Sequence, residues 1–388
     1  MPTLRKLLML LALPAGMALL AACSDDSEDA GDGVGSPSAS ASPTLGPADE
    51  ITFMAGFKPQ ANLPFVGVYV AQEKGFFEEQ NLDVKIEHVT TPGDNFRFLA
   101  AGNVQFTTSD ASGLLEKRVS DPPLDIVSLA LIGQRGQQGF SVLADSGIES
   151  PADWAGKTAG YKGSQVTPDY LAILAANGVD RASVQEVKVG FDPRILTEGQ
   201  VDIFPVFVSN EPDTLKKLGK EVKTWEAADF GAPTLGLTYV GMRDYVADHL
   251  DVTQRFINAV LDGIDYADLY RDEALDIVMK FAPDEDREHQ RYMLETELDM
   301  ALPQTVEERD GPVSGGCVSP IPLRCPQHPV QPLFGMQTHT QWQKLHDFLV
   351  QYGALSGPID DVSLVFADRF VKAYYEALAA TPTPSPSP

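Results

Sequence analysis

Two groups of side chains in this 388-residue chain have types and spacing that invite a chemical reading. One is a set of aromatic and amide residues: Phe57, Asn62, Gln137, Tyr161, Asn210 and Glu211. Rings can stack on a flat heterocycle, while amides and a carboxylate can match donors and acceptors along its edge. Each has a plainer reading. Phe57 and Tyr161 could fill a core, Asn62 could cap the helix after it, Gln137 with Gln138 could be wet hinge residues, and Asn210 and Glu211 could serve only a helix N-terminus. The other group would signal catalysis or metal binding, and it does not assemble. Gly156-Lys157-Thr158 imitates the end of a phosphate loop, but Pro151 stands where the first glycine is needed. Gly133, Gly136 and Gly139 are wrongly spaced for a dinucleotide fingerprint. The six histidines form no His-Glu-x-x-His pair, no Gly-x-Ser-x-Gly elbow exists, and the acidic run 25–29 lacks the ligand periodicity of a calcium loop. The residues therefore predict no catalysis, no metal and no cofactor. Cys317 and Cys325, eight positions apart in a Gly- and Pro-rich stretch, are expected to form a local disulfide.

Positioning such a set requires alternating strands and helices. Ile51–Met54 reads as a first strand, followed by a helix carrying Val66, Tyr69 and Val70 and ended at Gly75. Leu82, Val84 and Ile86 alternate with charged residues in a second strand, and 124–132 is apolar enough for a central strand. After the glycine- and glutamine-rich segment 133–139 a second series begins, with strands expected at 140–143, 157–161, 184–189 and 201–208 and a return strand at 235–240. The pattern predicts an α/β protein with mainly parallel sheets, folded as two lobes with one inserted in the other: residues 51–133 and 240–380 in lobe one, 134–239 in lobe two. Two crossings make a hinge, and a cleft lies between the lobes.

The ends read differently. Arg5 and Lys6 precede an apolar run too short to span a bilayer, then Leu20-Ala21-Ala22-Cys23, which resembles a bacterial lipobox. Residues 1–22 are expected to be a lipoprotein signal peptide, Cys23 the lipidated residue, 23–50 a disordered acidic, Ser- and Pro-rich tether, and 381–388 a Pro-rich tail. This places the protein on the outer face of the cell membrane, held by lipid alone. The 29 Lys and Arg against 55 Asp and Glu give a formal net charge of −26, which argues against nucleic acid as a partner.

Segment 65–84 (FVGVYVAQEKGFFEEQNLDV) resembles the opening of the solute-binding proteins of ABC importers, and more narrowly the branch related to yeast thiamine-pyrimidine synthase, with bacterial members that carry pyrimidine precursors or riboflavin. Leu99-Ala100-Ala101-Gly102, segment 150–158 (SPADWAGKT), segment 199–202 (GQVD), Asn210-Glu211-Pro212, and Gly335-Met336 ahead of Trp342 extend the resemblance over most of 51–370. It implies a type II periplasmic-binding-protein fold, with Phe57 at the aromatic position after strand one and Glu211 in the family's Asn-Glu-Pro signature. The synthase's cysteine-rich motif is absent, so an enzyme is not expected. The resemblance implies a monomeric lipoprotein that captures riboflavin and delivers it to a membrane permease driven by a cytoplasmic ATPase. A formylated aminopyrimidine is the alternative ligand, followed by a sulfonate- or nitrate-type anion or a non-transport surface role.

Overall fold

A computed structural model describes residues 46–91, 93–163, 165–301 and 333–380. Cys23, Cys317, Cys325, the signal, almost all of the tether and the tail lie outside them. The chain begins with β1 (Asp49–Ala55), α1 (Leu63–Lys74), α2 (Phe76–Glu79), β2 (Leu82–His88), α3 (Asp94–Ala100), β3 (Phe106–Asp110), α4 (Ala111–Arg118) and β4 (Ile126–Leu131). It continues through β5 (Gln138–Leu143), β6 (Thr158–Tyr161), α5 (Pro168–Ala176), β7 (Gln185–Lys188), α6 (Arg194–Thr197), β8 (Phe204–Phe207), α7 (Glu211–Lys217) and β9 (Val222–Glu226). β10 (Leu237–Met242) is followed by α8 (Arg243–Asp248), α9 (Leu250–Leu269), α10 (Arg271–Phe281), α11 (Arg287–Met300), α12 (His339–Gln351) and α13 (Arg369–Ala380).

The first sheet has the order β2-β1-β3-β10-β4. β1 runs parallel to β2 and β3, whereas β10 is antiparallel to both its neighbours. Lobe two holds an antiparallel sheet, β8-β5-β9, and a parallel pair, β6-β7. The sheets are thus more mixed than the alternating pattern predicts. A strand returning from an inserted lobe arrives from the opposite end, which reverses β10, and β9 lacks the apolar signature that would mark it in sequence.

One layer of helices explains how the first lobe stays rigid near the cleft. Every residue of α1 from Leu63 to Ala71 is buried, because the helix lies between the sheet and α9. The approach is backbone to backbone: a Cβ on Gly263 of α9 would sit 2.1 Å from the Gly67 carbonyl oxygen. Gly75 ends α1 at φ +80°, a conformation that costs glycine little.

The two crossings between the lobes lie side by side. The Gly236 amide donates to the Gly133 carbonyl at 2.8 Å and the Gly136 amide to the Thr234 carbonyl at 3.1 Å. A Cβ on Gly133 would meet the Gly236 Cα at 2.6 Å, so the pairing demands glycine there. Trp154 is fully buried and stacks on Tyr170, and Trp342 is buried against Phe366, so both serve packing.

Candidate ligand-binding cleft

The loops that leave β1, β3, β7 and β8 converge with the start of β5 on a cavity of about 470 Å³. A volume of this size lies within the range of small-molecule sites. Phe57, Asn62, Gln137, Asn210 and Glu211 all line it. Tyr161 does not: at the end of β6, opposite Lys188, its ring packs half-buried on a hydrophobic core cluster, as aromatics that close a strand commonly do. Its neighbour Lys162 reaches Glu211 instead.

Three phenylalanines keep large exposed faces there. Phe57 is 42% exposed, Phe207 38% and Phe191 64%, and all three line the cavity. Phe57 comes from lobe one, the other two from lobe two. Phe191 was not among the expected residues, because Gly190-Phe191-Asp192-Pro193 reads as a plain turn; the available signal was an aromatic with no core to fill. His88 holds the Phe57 loop in place. Its Nδ1 donates to the Phe57 carbonyl at 2.7 Å, leaving Nε2 to accept from the Tyr69 hydroxyl at 2.9 Å. Burial pushes the His88 pKa below its usual value despite the opposing effect of the Phe57 carbonyl, which suits this neutral form.

The charges at the cleft are largely spent. Glu211 is the first residue of α7 and is almost completely buried; one oxygen accepts from Lys162 Nζ at 2.5 Å and the other from the Phe207 amide at 2.8 Å. Lys162 itself lies over the Phe204 and Phe207 rings. Lys58 pairs with Glu285 at 2.5 Å, and Arg135 with Glu226 and Asp229, each at 2.7 Å. Lys117 stands over the Phe96 ring at 5.5 Å. Asp110, at the C-terminal end of β3, also lines the cavity, and loss of solvation raises its pKa above the usual carboxylate range. Asp169, in the first turn of α5 on lobe two, is pushed up to about 7 by burial and then by the charge of Asp110. Asn210 shares His289 with Asp213: the ring nitrogens lie 3.0 Å from Asn210 Oδ1 and 2.6 Å from Asp213 Oδ2.

Asn62 makes no side-chain cap bond to α1. That task falls to Glu297 of α11, whose Oε2 accepts from the Leu63 amide at 2.6 Å while Oε1 accepts from Asn62 Nδ2 at 2.5 Å. Glu297 was invisible in sequence, since 235 residues separate it from Asn62. Among the described residues no group of three or more His, Cys, Asp or Glu side chains could hold a metal, and no helix is long and apolar enough to cross a membrane.

Two lobes, glycine-paired crossings and an aromatic cavity between them define a solute-binding protein with the periplasmic-binding-protein fold. The chain belongs to the NMT1/THI5-like family, whose model matches residues 62–274. It is 28% identical to the formylaminopyrimidine-binding protein of Halalkalibacterium halodurans over 80% of this chain and 88% of that one. With riboflavin-binding protein RibY of Chloroflexus aurantiacus it shares 26% identity over 86% and 89%. The periplasmic aliphatic sulphonate binding protein SsuA of Escherichia coli superposes with a TM-score of 0.58 at 14% identity, covering 83% of this chain and 92% of SsuA.

Proposed function

We propose that the protein is the extracytoplasmic solute-binding component of an ABC importer, and that it captures riboflavin between its lobes and presents it to the permease. The observation that carries this reading is the trio of exposed phenylalanines, Phe57 facing Phe191 and Phe207 from the opposite lobe. Isolated exposed aromatics need no explanation, but three lining one cavity offer more apolar face than a single six-membered ring would cover. The polar lining supports an uncharged ligand. Lys58, Lys162 and Arg135 are each neutralised by a carboxylate, and Lys117, the other lysine lining the cavity, stands over the Phe96 ring while the Asp110 carboxyl shares that lining, so a sulfonate or phosphate would find few compensating donors. Anchoring through Cys23 and action as a monomer belong to the same reading.

A formylated aminopyrimidine is the second reading. It is favoured by the amide and carboxyl side chains among the lining residues, which can accept from exocyclic amino groups, and by the relative that carries that ligand's name. Titration of the purified protein with each compound, followed by calorimetry and by flavin fluorescence, decides between them. Tight riboflavin binding with quenching is the expected result. Binding of the pyrimidine alone reverses the order, and binding of neither overturns both.

A further inference from the structure

Glu297 is a buried carboxylate with no cation beside it, and it touches nothing but donors. Its Oε2 takes the Leu63 amide and its Oε1 takes Asn62 Nδ2, while Gln137 also bonds to it through its side chain. The far ends of these two amides are occupied in a consistent sense. Asn62 Oδ1 accepts from Gln60 Nε2 at 2.5 Å, and Gln137 Oε1 accepts from the Ser209 hydroxyl. Gln60, Asn62, Gln137 and Ser209 all line the cavity. An amide side chain can present either a donor or an acceptor, and an acceptor-only neighbour removes the choice.

We propose that Glu297 sets the polarity of the cleft: it turns the amide nitrogens of Asn62 and Gln137 toward itself, so that their carbonyl oxygens face the cavity and select ligands whose edge donates hydrogen bonds. This rests on the binding-protein reading above but not on which of the two ligands is correct, because a flavin ring N–H with ribityl hydroxyls and an aminopyrimidine both supply donors. The residue acts through Asn62 and Gln137 and is a positioning residue.

The ionised form is the competent one. A proton on Glu297 would turn an oxygen that now accepts into a donor facing donors. Burial raises this carboxyl to about 7, partly offset by its bonds to Leu63, Gln137 and Asn62. Charged groups on the elements packed around it are engaged elsewhere or, as with Lys216 of α7 and Asp299 of α11, exposed to solvent. On α7, Glu211 holds Lys162, and Asp213 holds His289 and Lys217; on α10, Asp272 and Asp276 hold Arg291 and Arg287, Glu273 holds Lys74, Lys280 holds Glu73, and Arg271 holds Asp268. On α11 itself Glu288 and Glu295 flank Arg291, and Tyr292 donates to the Val208 carbonyl; the part of α1 facing it carries no charge.

The test compares wild type with E297Q, probed with riboflavin and with formylaminopyrimidine by calorimetry at pH 8 and pH 6. Wild-type affinity is expected to fall about tenfold toward pH 6, the loss of roughly one hydrogen bond. E297Q is expected to bind about tenfold more weakly at pH 8 and to lose this part of the pH response, because the Leu63 amide cannot turn over and fixes the new side chain with its NH₂ toward Asn62. Exchanging the acid and the amide in N62D/E297Q is expected to bind better than either single variant. E297Q binding as wild type at pH 8, or the exchange binding no better than N62D, would overturn the proposal. Melting gives a readout without ligand. With a folded pKa above the unfolded one, the stability contributed by Glu297 is full below the unfolded value and is lost as pH rises through about 7, so wild type should lose more than E297Q between pH 5.5 and pH 8. If wild type binds neither probe the ligand reading fails, and equal melting losses in the two proteins then overturn the role of Glu297 as well. Asp169 titrates in the same range but is common to both proteins.

Discussion

Phe57→Ala is the sharpest probe of the aromatic sandwich. Phe57 is 42% exposed at the cleft. A phenylalanine carries about 200 Å² of buriable surface, so a ligand stacked on it would cover up to about 80 Å². At ~25 cal/mol per Å² this is about 2 kcal/mol, and ring–ring geometry adds ~0.5–1.5 kcal/mol. Alanine retains part of that contact, which leaves an expected loss of about 1–3 kcal/mol, or a Kd raised roughly 5- to 150-fold. The same calculation applies to Phe207, which is 38% exposed on the opposite lobe. Calorimetry with riboflavin measures both, and Leu250→Ala is the control, since Leu250 is 44% exposed but does not line the cavity. Melting temperatures should hardly move, because half-exposed rings contribute little to the core. If both phenylalanine variants bind within twofold of wild type, or Leu250→Ala weakens binding as much, the stacking argument is wrong.

Other consequences can be checked independently. Lys162→Met strands the buried Glu211 carboxylate and should cost about 3–5 kcal/mol in urea unfolding, with K162M/E211Q regaining most of it. Gly263→Ala places a methyl 2.1 Å from the Gly67 carbonyl and should destabilise by about 2–3 kcal/mol despite alanine's better helix propensity; an unchanged melting temperature would refute the tight α1–α9 contact. Tyr161→Ala is expected to lower stability while leaving affinity unaltered, since its ring packs on a hydrophobic core cluster and does not line the cavity. The Asp169 carboxyl is raised, so its stabilisation is present below the unfolded value and lost as pH rises through about 7; Asp169→Asn should therefore gain stability over wild type at pH 8 but not at pH 4.

Much of the architecture could be read from periodicity, because burial writes it directly into residue types. The run at 124–132 announced β4, and Val66, Tyr69 and Val70 with Gly75 announced α1 and its end. The strand β9 escaped because its residues are all half-buried and alternate Val, Lys, Thr, Trp, Glu without a dry face. In the cleft, residues after strands were legible by position: Phe57, Asn210 and Glu211 lie where strand ends point. Tyr161 shows the limit of that rule, since a strand end fixes where a side chain starts and neighbouring packing fixes which way it turns. Glu297 bonds Asn62 from 235 positions away, His88 holds the Phe57 loop from 31 positions away, and Met293 lines the cavity from α11; no local pattern encodes such partners.

The paired crossings at Gly133 and Gly236 constrain how the halves can move. Two backbones bonded edge to edge make a ribbon, which bends readily across its flat face and resists sliding in its own plane. Opening and shutting along one arc is then cheap, whereas twisting one half past the other would tear the ribbon's bonds. A bulky side chain added to either glycine would pry the two tracks apart and loosen that arc, altering the fit of the phenylalanines on opposite walls without touching any of them.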